Sequence, residues 1–247
     1  MSCLKGENLK RRNNRHILLS CLIILIVIPA VIAFGIIFLG DRKYYLISLA
    51  IILLTMLPFF MSFENRKPSA REIAVIAAMC AIGVAGRGAF FMLPQFKPMV
   101  SIVIITGICF GAESGFLTGA MTAFVSNFFF GQGPWTPWQM FCCGVIGFLA
   151  GLIFGRKPIT KKDYPFVVIF GGLSTVIIYG GLMNLSTLFS SVVAINWQTV
   201  LSIYASGLPF DLVHAAATVF FLIIALKPLT EKLYRIKIKY GLMSIEE

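Results

Sequence analysis

The sequence predicts an all-α polytopic membrane protein with about eight transmembrane helices. Of its 247 residues, 58% are hydrophobic and only 13% are charged, whereas a soluble domain carries roughly 25% charged residues. This composition leaves too little polar surface to solvate a globule. A transmembrane helix needs about 20 apolar residues, and apolar runs occur at 17–39, 45–63, 70–92, 99–110, 114–130, 138–154, 166–189 and 200–226.

The first apolar run follows a basic stretch, as the core of a signal peptide does. It exceeds the length of a typical signal core, and no small-residue cleavage site follows it cleanly. We therefore expect a retained helix.

The fourth run is short and ends at Gly111. The stretch from Gly111 to Gly115 is either a tight turn between two helices or a kink in one long helix. One helix from Phe96 to Phe130 would be too long for a single span, which favours the turn. Glu113 lies in this turn and is expected to be solvated.

The distribution of charge predicts the orientation. With eight helices and a cytoplasmic N-terminus, all of the 21 Lys and Arg residues except Arg42, Lys43, Arg87 and Lys97 fall on the cytoplasmic side. This is the positive-inside bias. It predicts a multi-pass protein of the cell membrane with both termini in the cytoplasm. Nucleic-acid binding is a poor explanation of the net charge of +11, because no soluble domain remains to perform it.

Composition divides the chain into three parts. Residues 1–69 are a basic tail and a two-helix N-terminal addition, and residues 70–228, richer in Gly, Ala, Ser and Thr, are predicted to be a six-helix functional core. Residues 229–247 are predicted to be a basic cytoplasmic C-terminal tail. No Walker-type phosphate loop occurs, and no pattern predicts a catalytic residue, a metal site, a cofactor or a structural disulfide.

An alanine stripe, formed by Ala70, Ala74, Ala78, Ala81 and Ala85, lies along one face of the third predicted helix. Small residues allow helix backbones to approach closely. The stripe either packs within the chain or is a docking face for the helix of a partner.

Two glycine series recur at steps of four residues. We expect them to pack helices together within this chain. The series are Gly111, Gly115 and Gly119, and Gly147, Gly151 and Gly155.

Ionisable residues inside predicted spans are candidates for a functional site, because burying them in a bilayer is costly. Arg87 lies near the outer end of the third helix, and Asp211 and His214 share a face of the eighth helix with Tyr204. Arg87 could instead extend its charge to the interface. Asp211 and His214 could instead form an internal structural pair.

Further polar and aromatic residues gather in the same predicted outer half. An outward-facing pocket with aromatic walls and a few polar anchors suits a small organic ligand, although Trp residues at this depth also form interfacial belts. The further candidates are Gln95, Asn127, Trp135, Trp138, Gln139 and Asn184.

Three segments resemble one known family. They are Ala-Arg-Glu-Ile-Ala-Val-Ile-Ala-Ala at 70–78, Gln-Phe-Lys-Pro at 95–98, and Ser-Asn-Phe-Phe-Phe-Gly-Gln-Gly-Pro-Trp-Thr-Pro-Trp-Gln-Met at 126–140. The chain resembles the substrate-binding (S) components of energy-coupling factor (ECF) transporters. The resemblance is clear over about 85 residues and extends to Leu226.

The resemblance implies a six-helix S-component core that binds a vitamin or related micronutrient from outside. It also implies a transmembrane coupling subunit and two cytoplasmic ATPases as partners, with the S component tipping in the membrane to release its substrate inward. In that family, small residues of the first core helix contact the coupling subunit, which corresponds to Ala70, Ala74 and Ala78. The two extra helices that precede the core depart from the family pattern. They could cover one side of the core and so change how it packs on the coupling subunit.

The resemblance does not fix the substrate. Cobalamin, a corrinoid or a precursor is the first choice, and another vitamin or a small aromatic heterocycle remains open. A proton-coupled secondary transporter, with Asp211 and His214 as the relay, is the main alternative. A membrane serine hydrolase using Ser174 and His214 is the enzyme alternative, although the residue after Ser174 is not the expected glycine. A third alternative is a purely structural membrane scaffold, which would bind no small molecule.

Overall fold

The computed structural model describes residues 18–34, 50, 53–54, 70–155, 158–191 and 196–240. The predicted helix at 45–63 lies almost wholly outside the described residues. Within them the chain is helical and forms no strand. Four described helices are long and apolar enough to cross a membrane, Ala70–Ala89, Trp135–Phe154, Tyr164–Phe189 and Trp197–Tyr240, and two shorter apolar helices are Leu18–Val31 and Met99–Phe110. The predicted all-α polytopic membrane fold is confirmed.

Each of the six apolar runs predicted between 70 and 226 corresponds to a helical segment. The run predicted at 166–189 forms two α-helices joined by a π-helical stretch, Thr175–Gly180. In chain order the helices are α1 (Ile28–Phe34, preceded by π-helical Ile23–Val27), α2 (Ala70–Ala89), α3 (Met99–Phe110), α4 (Ala112–Phe130), α5 (Trp135–Phe154), α6 (Tyr164–Ser174), α7 (Gly181–Ser191) and α8 (Trp197–Tyr240).

Helix α3 lies at the centre of the bundle, and all 12 of its residues are buried. It packs against α2, α4, α5 and α8. At 1.5 Å per residue it is about 18 Å long, which is shorter than the hydrocarbon core of a bilayer. Because protein surrounds it on every side, α3 does not need to reach both membrane surfaces.

The predicted turn between the fourth and fifth runs is confirmed. Helix α3 ends at Phe110 and α4 begins at Ala112, so Gly111 alone separates them. Its φ of 97° is strained for any residue with a Cβ atom. The two helices form a hairpin in which Gly107 and Gly115 approach each other directly.

The expected role of the glycine series in internal packing is confirmed for most of their members. A Cβ atom on Gly147 would overlap the carbonyl oxygen of Gly115, and one on Gly119 would overlap the backbone of Cys143. Gly151 packs in the same way against Ala112. The hairpin therefore seats on α5 through backbone-to-backbone contact, the arrangement that small residues permit in membrane helices.

The bundle has two distinct ends. The loop end carries the connections at 90–98 and 131–134, and the hairpin end carries Gly111. At the hairpin end the Lys237 ammonium donates a hydrogen bond to the carbonyl of Cys109, where the negative end of the α3 dipole favours a cation. Arg71 lies 5.0 Å from the ring centroid of Tyr240. The last turns of α8 thus lie against the hairpin and the start of α2.

The expectation that Glu113 is merely solvated is wrong. The hydroxyl of Ser20 donates a hydrogen bond of 3.1 Å to its Oε1. Ile24 and Ile28, one and two turns further along the same helix, are buried in the core. The first helix is therefore attached to the hairpin at this end, a contact that no pattern in either segment indicated.

Replacing Gly147 with Ala should lower the free energy of unfolding by about 3 kcal/mol, because the added methyl group forces α4 away from α5. Gly181→Ala is the matched control, since a Cβ at that helical position meets nothing within 4 Å. Equilibrium unfolding in mixed detergent micelles measures both variants. Equal stability of the two would contradict the proposed hairpin packing.

Candidate functional site

The guanidinium of Arg87 lies inside the bundle near the loop end. Its Nη1 donates hydrogen bonds of 2.6 Å each to Ser126 Oγ and to Asn127 Oδ1. Both acceptors are fully buried on the last turns of α4. Because Arg87 is in the last turn of α2, this contact joins the loop ends of two helices. Hydrogen bonds of this charge-assisted kind are about twice as strong as neutral ones.

The same network continues across the bundle. The Asn127 amide donates to Thr136 Oγ1 at 3.1 Å and to Gln139 Oε1 at 2.9 Å. Gln139 in turn donates to the Tyr179 hydroxyl at 3.2 Å. The Tyr179 ring packs edge-on against His214, with ring centroids 4.6 Å apart. Four helical elements and, through His214, α8 therefore meet around one set of polar groups.

The π-helical stretch positions Tyr179. A π-helical turn adds a residue to a helix, which shifts the direction of the side chains that follow. Tyr179 is thereby buried against Gln139 and His214, whereas Ile177, two residues earlier, is 67% exposed. Such turns occur often at functional sites.

A second polar pair joins α7 and α8. The Asn184 amide donates a hydrogen bond of 2.8 Å to Asp211 Oδ2. Close helix approach makes this possible, because a Cβ on Gly207 would overlap the Asn184 amide. Nearby, the Tyr204 hydroxyl donates to the carbonyl of Gly181 at 2.9 Å. The Asn184–Asp211 pair and Tyr204 thus both join α8 to α7.

The structure does not pair Asp211 with His214. Among the described residues, His214 Nδ1 has no hydrogen-bond partner although the side chain is buried. Ser174 donates its hydroxyl to the carbonyl of Gly171, not to His214. Neither the proton relay nor the serine–histidine dyad considered above is assembled in this conformation.

The remaining predicted residues lie around the rim of this end. Gln95 is half-buried in the 90–98 loop with a φ of 56°. Trp138 stacks on Phe189 with ring centroids 6.3 Å apart. Trp135 is 43% exposed and covers Gly133.

An open apolar cavity of about 500 Å³ lies between the 90–98 loop and α8. Its volume is within the range of roughly 300–1,000 Å³ usual for small-molecule pockets, but its walls are largely exposed, with Leu93 at 47% and Phe210 at 55%, so it encloses a ligand only in part. Phe96 links the cavity to an aromatic cluster through Phe220 and Phe221, whose ring centroids lie 5.7 and 5.5 Å away. The lining residues are Leu93, Pro94, Phe96, Pro209, Phe210 and Val213.

Lys97 brings a second positive charge to this end. Its ammonium donates to the carbonyl of Leu93 at 3.4 Å. Partial burial and, to a smaller extent, the charge of Arg87 lower the pKa of Lys97. The two cations therefore interact electrostatically, although they donate hydrogen bonds to different acceptors.

Sequence reasoning missed three members of the network. Ser126 and Thr136 lie inside the segment that carried the family resemblance, next to Asn127 and Trp135, and that proximity was the available signal. The sequence carries no comparable signal for Tyr179, because the composition of its π-helical turn is not distinctive. In the described part of the chain, no three His, Cys, Asp or Glu side chains are placed to hold a metal ion.

The alanine stripe lies on the outer surface of the bundle. Ala70, Ala74 and Ala78 are exposed, as are Ala81 and Ala85 further along α2. The opposite face of α2 is turned inward. Its buried residues are Glu72, Ile76, Met79 and Gly83.

Comparison with known proteins gives consistent matches. The family model described as "ECF transporter, substrate-specific component" matches residues 71–226. A UPF0397 protein of Vibrio atlanticus is 28% identical over 151 residues, which cover 56% of this chain and 82% of the relative. A UPF0397 protein of Aliivibrio salmonicida is 30% identical over 131 residues, covering 48% and 71% respectively. No solved structure shows significant similarity to the chain.

Asn127→Ala should lower the free energy of unfolding by about 3 kcal/mol, because Arg87, Thr136 and Gln139 each lose a buried partner. Gln198→Ala removes an amide from an exposed position at the start of α8 and should change stability by less than about 0.5 kcal/mol. Equilibrium unfolding measures both variants. A small effect of Asn127→Ala would show that water replaces its hydrogen bonds.

Proposed function

The chain belongs to the family of substrate-specific components of ECF transporters, and on this premise we propose that it captures a vitamin-like molecule for import. The observation that carries the proposal is the polar network around Asn127, which lies at the end of the bundle that also holds an apolar cavity. Small-molecule sites combine apolar walls with a few fixed polar groups, and both features occur at this end of the bundle.

The loop end is proposed to face the outside of the cell membrane. Support comes from the charges at the opposite end, where Arg71 and Lys237 lie beside the α3–α4 hairpin and match the positive-inside bias. Both termini are then cytoplasmic. Ligand entering from outside reaches the cavity without crossing the packed centre around α3.

The proposed ligand contacts are the predicted residues of the loop end. Arg87, Asn127 and Gln139 share one hydrogen-bonded network, which supports their acting together. Asp211 and Asn184 form a second anchor on α7 and α8. The proposed rim and wall residues are Gln95, Trp135, Trp138, Tyr204 and His214.

The alanine stripe is proposed to dock on a transmembrane coupling subunit that carries two cytoplasmic ATPases. Exposure of Ala70, Ala74 and Ala78 supports this, because small exposed residues allow another helix to approach closely. Capture alone then needs no nucleotide, and release into the cell depends on the partners.

A smaller vitamin or a precursor is proposed as the ligand in preference to cobalamin or another corrinoid. The cavity of about 500 Å³ suits a drug-sized ligand. A corrinoid is larger and would require the 90–98 loop to move away from α8.

The function is tested by transport in cells that lack other uptake systems. Mass spectrometry first identifies the small molecule that co-purifies with the chain. We expect cells expressing the chain alone to bind that molecule without accumulating it, and cells that also express the coupling module to accumulate it. Accumulation by the chain alone, abolished by a protonophore, would instead establish a secondary transporter using Asp211 or His214.

Ala74→Leu should reduce co-purification of the coupling subunit at least about tenfold, because a larger side chain prevents close helix contact. Binding of the co-purifying molecule should stay unchanged. Ala216→Leu is the matched control, since Ala216 is exposed on α8. A wild-type yield of complex with Ala74→Leu would place the docking face elsewhere.

A further inference from the structure

Among the residues that the structure describes, Arg87 forms hydrogen bonds through one of its three guanidinium nitrogens. Both of its hydrogen bonds come from Nη1. Within the residues that the structure describes, Nε and Nη2 have no hydrogen-bond partner and no carboxylate forms an ion pair with the group. The guanidinium also forms a cation–π contact with the Phe130 ring, whose centroid lies 5.2 Å from Cζ.

The Nε–Nη2 edge of the guanidinium is therefore positioned by contacts made elsewhere on the group. Ser126 and Asn127 hold Nη1 of the planar guanidinium, and the Phe130 ring packs against the group. The Nε and Nη2 donors are parallel in any arginine and match the two oxygens of a carboxylate or a phosphate. Little conformational freedom remains to be lost when such a group binds.

The charges nearby do not neutralise Arg87. The ionisable groups that interact electrostatically with it include Lys97 and His214, and neither can supply a negative charge at neutral pH. The carboxylate of Asp211 accepts a hydrogen bond from the Asn184 amide, and it forms no ion pair with Arg87 in the described structure. A partly buried cation without a counter-ion is costly in a membrane protein, and a negatively charged ligand removes that cost.

We propose that the captured molecule is an organic anion whose carboxylate or phosphate group binds the Nε–Nη2 edge of Arg87. This inference rests on the proposed function and specifies its substrate class. Lys97 adds a positive field at the same end without touching the bound group. Phe130, together with Phe91 stacked on it at 5.2 Å, offers an apolar wall to the body of the ligand.

Binding of matched pairs of compounds to the purified full chain in lipid nanodiscs tests the proposal. Nicotinate with nicotinamide and biotin with biotinamide represent the carboxylate. Pyridoxal phosphate with pyridoxal, and flavin mononucleotide with riboflavin, represent the phosphate. In at least one pair the anion should bind about 10- to 100-fold more tightly than its neutral partner, the range expected for charge-assisted hydrogen bonds. The pair that responds identifies which anionic group is recognised.

Variants separate recognition from folding. Arg87→Gln should reduce the anion-to-neutral affinity ratio to about one, and Arg87→Lys, which keeps the charge and loses the parallel donors, should give an intermediate ratio. Because the ratio compares two ligands on the same protein, a general loss of folded protein does not change it. Arg71→Gln, at the opposite end of α2, is the matched control and should leave the ratio unchanged.

Three results would overturn the inference. Equal affinity for both members of every pair, or an unchanged ratio in Arg87→Gln, would show that water alone solvates the free edge, as would a neutral molecule co-purifying with the wild-type chain. In each case the proposed capture function would stand. If the wild-type chain binds none of these compounds and no small molecule co-purifies with it, both the inference and the proposed function fail.

Discussion

The contact between Arg87 and the Ser126–Asn127 pair is the constraint on which the loop end of this protein depends. An arginine placed among apolar helices must have its donors satisfied or reach water. Here two buried oxygen atoms of α4 accept from Nη1. This places the end of α2 against the end of α4, and the Asn127 amide then extends the connection to α5 and the π-helical stretch through Thr136 and Gln139.

The opposite half of the bundle is held by a different kind of contact. Around the α3–α4 hairpin the helices approach backbone to backbone through Gly107, Gly115 and Gly147. Such contact relies on dispersion over a large, closely fitted area. The bundle therefore combines a tightly packed hairpin end with a polar loop end, and the proposed ligand site lies at the second.

Much of the fold was predictable because helix length and charge distribution are direct consequences of the bilayer. The six runs from Ala70 onward, the break at Gly111 and the glycine contacts followed from apolar length and small-residue spacing. Features set by tertiary contact were not predictable. Ser20 bonded to Glu113 joins segments far apart in sequence, and the π-helical stretch that presents Tyr179 leaves no mark in composition.

The candidate site was predictable in its members more than in its connections. Arg87, Asn127 and Gln139 stand out in the sequence because polar residues in spans are unusual, and they share a network. Asp211 and His214 were expected to interact because they are three residues apart on a helix, yet each bonds or packs with a different neighbour. Spacing along one helix shows which residues share a face, but the adjacent helices decide which partner each one meets. Helix α8 also contains Pro209 and Pro228, and each lacks the amide hydrogen that would bond four residues back. Between them, His214, Thr218 and Leu222 are buried. The 44-residue helix therefore lacks a backbone hydrogen bond at two points, one on each side of its buried middle, and the hydrogen bonds of Tyr204 and Asp211 to α7 hold the segment around Pro209 in place.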